Sequence, residues 1–377
     1  MISSSKFWIG IGLSAILLAL FIVTIDVGDM VSALAGANYI YLIPAIIAYQ
    51  VSVLFRTIRW RMLLYHMKPT TTRRLFPVVT IGYMANNLLP MRLGELVRSY
   101  YVAEREGVSK AAALMTIFIE HVLDALILLF FIAIIALFTP LSGLAEAFGD
   151  KADRAWPFIV VAFSLPFIVA FGTLILFAAF PGRTREVSMK LVRPLPERFE
   201  APIRSLIDYF LQGLEPMRSP RVIAKLLLAS IPIWLLEALL FLLVAFSFDM
   251  NLAFPGLGQM AIGMILVTAI ANIGASIPAA PGGIGIFELI TRETLVLLPQ
   301  ASVDRSVAGG FAALVHATLL LPMILLGQVF LWTGHISLRK LTRAGQVPEV
   351  IAESNPQTTS TVAGQTPVNS AEDRRFS

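Results

Sequence analysis

The 377-residue sequence contains no cysteine, which excludes disulfide frameworks, thiol nucleophiles and cysteine-ligated metals. Charge is scarce as well: Asp, Glu, Lys and Arg make up 14% of the chain, against roughly 25% in an average soluble domain. No Walker-type loop occurs, and Gly282, Gly283 and Gly285 neither follow G-x-G-x-x-G spacing nor sit in a βαβ pattern, so no nucleotide cofactor is expected. The net charge of +5 is not gathered into a basic block interleaved with aromatics, which argues against a nucleic-acid partner.

Apolar residues fill the space that charge leaves. They make up 57% of the chain, and the mean hydropathy is +0.79. A bilayer core of ~30 Å takes about 20 apolar residues per helical crossing. The sequence predicts an all-α polytopic membrane protein with six full spans, at about 7–25, 39–64, 111–138, 156–180, 226–248 and 307–332. The first run exceeds a secretory h-region and lacks a small-x-small cleavage site, so it is expected to be retained. Arg56, Arg59, Arg61, Lys68, Arg73 and Arg74 crowd the end of the second span, and 181–225 is rich in Lys and Arg, whereas the loops with Asp26, Asp29 and Asp249 have neither. The positive-inside rule then predicts a cell-membrane protein with both termini cytoplasmic and with Trp60 at the interface.

Residues 1–340 read as one transmembrane domain and 341–377, rich in Ser, Thr, Gln, Asn and Pro, as a disordered cytoplasmic tail. Within 181–225, Ile203, Leu206, Ile207, Phe210, Leu211 and Leu214 recur at helical spacing. That helix can lie on the inner membrane surface or pack against the bundle.

Two apolar segments do not read as simple crossings. Residues 75–89 are too short, meet Pro90 and return through the charged limb 93–106; residues 257–277 break at 278–288 and return through 289–298. Both read as broken re-entrant hairpins, which are tolerated at membrane depth only where protein or a water-filled cavity surrounds them. Pro90, Gly94, Pro281, Gly282, Gly283 and Gly285 are the expected breaks or hinges. The units 39–138 and 226–332 share one order of elements, PMRLGE (90–95) resembles PGGIGIFE (281–288), and Pro44 matches Pro232. Because the hairpins open from opposite sides, an inverted repeat is expected, with substrate near the midplane between broken helices.

Intramembrane charge points to function by default. Glu95 lies three residues from both Arg92 and Arg98, and Glu120, His121 and Asp124 share one helical arc on the next span. Arginines held in a cavity can grip a phosphate bidentately; a structural ion-pair knot is the competing reading. Arg59, Glu237, Glu288 and His316 form a secondary polar set. Asn87 is grouped with the substrate-facing residues, although Asn86, Asn87 and Asn272 suit helix caps better than substrate contact. His316 is the one partner that could join the Glu120, His121 and Asp124 group around a metal, and no metal site is expected.

These motifs resemble the transmembrane-region family of lysylphosphatidylglycerol synthases, also called flippase-like domain proteins. The matching residues are Asn87, Pro90, Arg92, Gly94, Glu95 and Arg98, with Arg59-Trp60-Arg61, Glu120 and Asp124, and Pro281, Gly282, Gly283, Gly285 and Glu288, within about 5–340. The family pattern carries an arginine where this chain has His121, and a histidine is charged only part of the time near neutral pH. The resemblance implies a domain that moves lipids between leaflets, an aminoacylated phosphatidylglycerol in the best-known members. Those members add a large soluble aminoacyl-transferring domain where this sequence has a short tail, so lipid lysylation is not expected; a lipid-linked sugar is an equally open substrate. The expectation is therefore a flippase-like transporter of an anionic phospholipid or lipid-linked sugar, with no catalytic residues. Its rivals are an integral-membrane glycosyl- or aminoacyl-type transferase using Glu120 or Asp124 as base, and a noncatalytic partner that anchors a transferase through 181–225.

Overall fold

The computed structural model describes residues 5–89, 93–138, 152–193, 197–276, 281–298 and 301–333. The expected tail at 341–377 lies outside the described residues, as do Pro90 and Arg92. Among the described residues there are thirteen α-helices and no strand.

The amino-terminal apolar run forms α1 (Ser5–Val23). The segment after it, expected to be a loop, is a second helix, α2 (Val27–Gly36), whose first turn is capped by the Asp26 carboxylate accepting the Asp29 N–H at 3.1 Å. The chain bends by 85° between them. An uncapped acidic loop and an Asp N-cap look alike in sequence, and the capping bond decides for helix.

Helix α3 (Leu42–Leu64) follows a short 3₁₀ turn at Tyr39–Tyr41. Helices α4 (Thr72–Leu88) and α5 (Leu93–Glu106) form the first hairpin; at 1.5 Å per residue α4 reaches roughly 26 Å, short of a crossing. Helix α6 (Lys110–Phe138) is a full span. Helix α7 (Ala152–Ala179) turns by 104° into α8 (Pro181–Val192), with Pro181 in its first turn, where a missing N–H goes unfelt. The amphipathic stretch is α9 (Glu197–Gly213), and it packs on α6: Leu211 is buried, and Gly213 lies so close to Met115 that a Cβ would overlap it.

The second half repeats this order. Helix α10 (Pro220–Ser247) is a span, α11 (Leu257–Gly274) leads to a 3₁₀ turn at Pro281–Gly283 and then to the short return limb α12 (Ile286–Val296), and α13 (Arg305–Thr333) is the last described helix. Among the described residues five helices are long and apolar enough to cross a membrane, and up to seven spans result if each bent pair is one span. Helix α11 is among the five and α4 is not, so the two hairpins differ in the reach of their first limbs.

The core is built around α3 and α10, which pack along their length; the Ser52 hydroxyl donates to the Ile233 carbonyl across that contact at 3.0 Å. Helix α4 packs on α13 as α11 packs on α6, and α5 bridges α4 and α6 as α12 bridges α11 and α13. The packing pattern thus maps onto itself when α3–α6 is exchanged with α10–α13.

Candidate functional site

Arg56 and Arg59 sit one helical turn apart on α3 and point inward, as i, i+3 residues do. Arg59 donates to both carboxylate oxygens of Asp124, at 2.6 and 3.0 Å, and to the Ser230 hydroxyl at 2.7 Å. Arg56 donates to Glu237 at 2.7 Å and reaches Asp124 at 3.5 Å. The Trp234 indole N–H donates to Asp124 at 3.0 Å, and its ring lies 4.5 Å from the Arg56 guanidinium. This is a directed knot joining α3, α6 and α10, in which the Arg59 fork meets Asp124 bidentately.

Arg98, on α5, is held differently. Its guanidinium sits 3.8 Å from the centre of the Trp60 ring and 2.6 Å from Glu120. The Glu120 contact is a charge contact rather than an aligned hydrogen bond, because Arg98 Nε and Nη2 and both Glu120 oxygens are buried with no partner in line. Arg59 Nε approaches Glu120 at 3.6 Å, too far for a hydrogen bond. Trp60, expected at the interface, is fully buried and donates to the Thr116 hydroxyl at 3.0 Å. Its place under Arg98 explains this: an aromatic face stabilises a guanidinium removed from water. Arg56, Arg59 and Arg98 are balanced by Glu120, Asp124 and Glu237, so the buried set is neutral as a whole.

These side chains line a cavity of about 320 Å³. Both helix breaks reach it: Asn87 and Leu89 from the first, Gly282 and Gly283 from the second. The breaks touch there, since a Cβ on Gly282 would lie 3.4 Å from the Asn87 carbonyl oxygen. Gly282, Gly283 and Gly285 have φ of +66°, +75° and +92°, a left-handed run that glycine alone adopts without penalty. At the first break Gly94 serves contact instead. A Cβ there would run into the Gly82 carbonyl oxygen, so its absence lets α5 lie against the backbone of α4.

The cavity brings together Arg59, Asn87, Arg98, Glu120, His121, Asp124, Glu237 and His316. Glu95 stands 2.9 Å from His121, and Glu288 stands 2.6 Å from His316. Pro281 opens the 3₁₀ turn of the second break. Asn272 is no cap: its amide donates to the Thr268 carbonyl within α11. Arg292, near Glu288 in sequence, turns away to the Phe21 carbonyl and Glu293. Sequence reasoning passed over Arg56, Tyr49, Tyr83 and Trp234, which also line the cavity. For Arg56 the signal was present, an arginine one turn before Arg59 within an apolar span.

Outside the spans, exposed Asp208 binds Arg185 of α8 at 2.7 and 3.2 Å and raises its already high pKa. On the same helix Lys190 holds the Glu186 carboxyl below its usual range. Among the described residues no group of three His, Asp or Glu side chains is placed to hold a metal.

A strandless set of helices with several spans, two broken hairpins and a neutralised charge cluster around a cavity defines a multi-span membrane protein. Within that class, the family model described as the lysylphosphatidylglycerol synthase transmembrane region matches residues 7–327, and the chain belongs to that family. A UPF0104 membrane protein of Methanothermobacter thermautotrophicus is 26% identical over 310 residues, which is 78% of this chain and 86% of the relative. Glycosyltransferase AglD of Haloferax volcanii is 23% identical over 336 residues, 82% of this chain and 51% of AglD, so the chain spans about half the length of that relative. A UPF0104 membrane protein of Methanocaldococcus jannaschii is 24% identical over 230 residues, 61% of this chain and 84% of the relative.

Proposed function

We propose that this protein is a flippase-like lipid transporter of the cell membrane, with both termini cytoplasmic, which passes the headgroup of a phospholipid or lipid-linked sugar through the cavity between the helix breaks. One observation carries the reading: two helix breaks meet at a cavity whose wall holds buried charge with unused hydrogen-bonding capacity, on Arg98 Nε and Nη2 and on both Glu120 oxygens. Buried polar groups without aligned partners are uncommon in native proteins, and each calls for a reason. A phosphate oxygen pair fits the Arg98 fork, and a headgroup amine or hydroxyl fits Glu120. Arg92, six residues before Arg98, is assigned here as a second phosphate ligand.

The competing structural reading applies to a different part of the cluster. The knot of Arg56, Arg59, Asp124 and Glu237 is directed and well paired, and we assign it to holding α3, α6 and α10 together. We also take α3–α6 and α10–α13 to be inverted copies; the exchange symmetry of their packing supports this, and transporters with inverted repeats place substrate where these breaks meet.

Translocation of fluorescent phosphatidylglycerol in vesicles of phosphatidylglycerol and phosphatidylethanolamine tests the reading. Wild type should exceed protein-free vesicles, and Arg98→Ala and Glu120→Gln should each lower the rate at least tenfold; equal rates for wild type and Arg98→Ala would refute it. The similarity to a protein named a glycosyltransferase favours one second reading, a membrane transferase or its partner, for which purified protein would have to form a glycosylated product from lipid-linked sugar.

A further inference from the structure

Each helix break carries a glutamate at the third residue of its return limb, Glu95 on α5 and Glu288 on α12. Each meets a histidine at the twelfth residue of the long helix that follows, His121 on α6 and His316 on α13. The Glu95–His121 pair stands 2.9 Å apart with its side chains 24% and 42% exposed, whereas Glu288–His316 stands 2.6 Å apart at 12% and 6%. A Glu–His clasp thus occurs twice, partly exposed through His121 Nε2 at one break and closed from solvent through His316 Nδ1 at the other.

The closed clasp has a proton requirement that its heavy atoms reveal. His316 Nδ1 faces Glu288 Oε1 at 2.6 Å, and His316 Nε2 faces the Gly282 carbonyl oxygen at 2.9 Å. A carbonyl cannot donate, so Nε2 carries hydrogen; the Nδ1 contact needs a second hydrogen between nitrogen and carboxyl oxygen. Glu288 Oε2 already accepts the Gly285 N–H at 2.7 Å, which favours the carboxylate, and the Gly282 carbonyl favours an imidazolium. The Phe287 ring, 4.4 Å from the imidazole, covers a further side with a face that attracts cations. Without the second hydrogen, one of the two contacts sets lone pair against lone pair. Loss of the Nδ1 hydrogen breaks the Glu288 contact beside Gly282, the residue touching Asn87 of the other break.

We propose that the proton is the coupling ion of this transporter, bound by Glu288 and His316, with Glu95 and His121 as the counterpart site at the other break. Proton binding at Nδ1 forms the Glu288–His316 hydrogen bond and docks the second break on α13; proton release leaves a deprotonated Nδ1 opposite a carboxylate and undocks it. Only the Nδ1–H bond forms and breaks, and the proton comes from water and returns to it.

The carboxylates that face this region from other helices each stand against an arginine. Glu237 of α10 is bonded to Arg56 of α3, and Asp124 and Glu120 of α6 are held by Arg59 and Arg98. Helix α3 also presents Tyr49, and α4 presents Tyr83 with neutral Asn86 and Asn87; α11 presents neutral Asn272. Arg292, on α12 itself, is turned to the Phe21 carbonyl of α1 and to Glu293.

This inference rests on the transport reading, and two measurements separate their failures. In vesicles with the membrane potential clamped, labelled phosphatidylethanolamine should distribute between leaflets according to the imposed pH gradient. One proton per lipid predicts a roughly tenfold shift in the steady-state ratio per pH unit. In Glu288→Gln and His316→Gln, whatever their rates, the leaflet ratio should ignore the gradient. Translocation in the wild type that ignores the gradient, or variants that follow it, overturns the proposal while leaving transport intact. The second readout needs no transport. In ¹⁵N-histidine spectra of the purified protein at pH 7, assigned by the loss of one of four imidazoles in His316→Gln, His316 should show protons on both nitrogens. It should become singly protonated in Glu288→Gln. A singly protonated His316 in the wild type overturns the proton site even where lipid moves.

Discussion

Replacing Arg56 and Glu237 one at a time and then together probes the buried knot quantitatively. Arg56 Nη2 meets Glu237 at 2.7 Å, and the side chains are 9% and 4% exposed. Arg56→Met strands the Glu237 carboxylate, whose remaining close polar neighbour is the Asn272 amide. Breaking a buried pair from one side costs about 3–5 kcal/mol, and a stranded carboxylate belongs near the upper end. Glu237→Leu is milder, near 3 kcal/mol on that same scale, because Arg56 keeps Asp124 at 3.5 Å. The double variant Arg56→Met/Glu237→Leu removes one charge of each sign and keeps the cluster neutral, so it should be within about 1 kcal/mol of wild type, as apolar replacements of buried pairs commonly are. Thermal midpoints of detergent-solubilised protein, followed by size-exclusion, should fall by on the order of 10 °C for Arg56→Met, at roughly 2 °C per kcal/mol for a chain of this size, and recover in the double variant. A double variant as unstable as the sum of the singles would refute the neutral-cluster account, because independent contacts add.

Three further outcomes follow from the packing and from the stacked arginine. Gly94→Ala should lower stability by about 1–3 kcal/mol through overpacking, since its Cβ would meet rigid backbone at Gly82; limited proteolysis near 82–94 reads the loosened hairpin. Gly327→Val should do the same between α13 and α4, where even a Cβ would lie 2.6 Å from Met84 Cβ, and an unchanged thermal midpoint would argue against that contact. Trp60→Phe loses the indole bond to Thr116, worth about 0.5–1.5 kcal/mol, and keeps a ring under Arg98; Trp60→Ala removes both, so the lipid-translocation rate should fall in the alanine variant and persist in the phenylalanine one.

Much of the architecture was legible because membrane spans write themselves as apolar length and loops as charge. The breaks at Pro281–Gly285 and after Leu88 were legible because glycine and proline end helices whatever surrounds them. Glu120 and Asp124 were legible as an inward arc because carboxylates four residues apart in an apolar helix share a face. The inner partners were not, because they are assembled by tertiary packing: Arg56 and Glu237 are 181 positions apart, and no local pattern links them. Trp60 was misplaced for a related reason. A tryptophan flanked by arginines reads as an interfacial anchor, and only the arrival of Arg98 from α5 shows the ring to be buried. The helix at Val27–Gly36 escaped because its cap is an aspartate that also suits an outer loop.

The meeting of the two breaks is the central claim, and the absence of native cysteine makes it directly testable. A single cysteine introduced as Asn87→Cys, at the cavity wall beside Gly282, can be labelled with a bulky maleimide in vesicles while lipid translocation is followed. The account predicts near-complete arrest on labelling, with unlabelled Asn87→Cys active and maleimide-treated wild type unaffected. Full translocation by quantitatively labelled protein would contradict it.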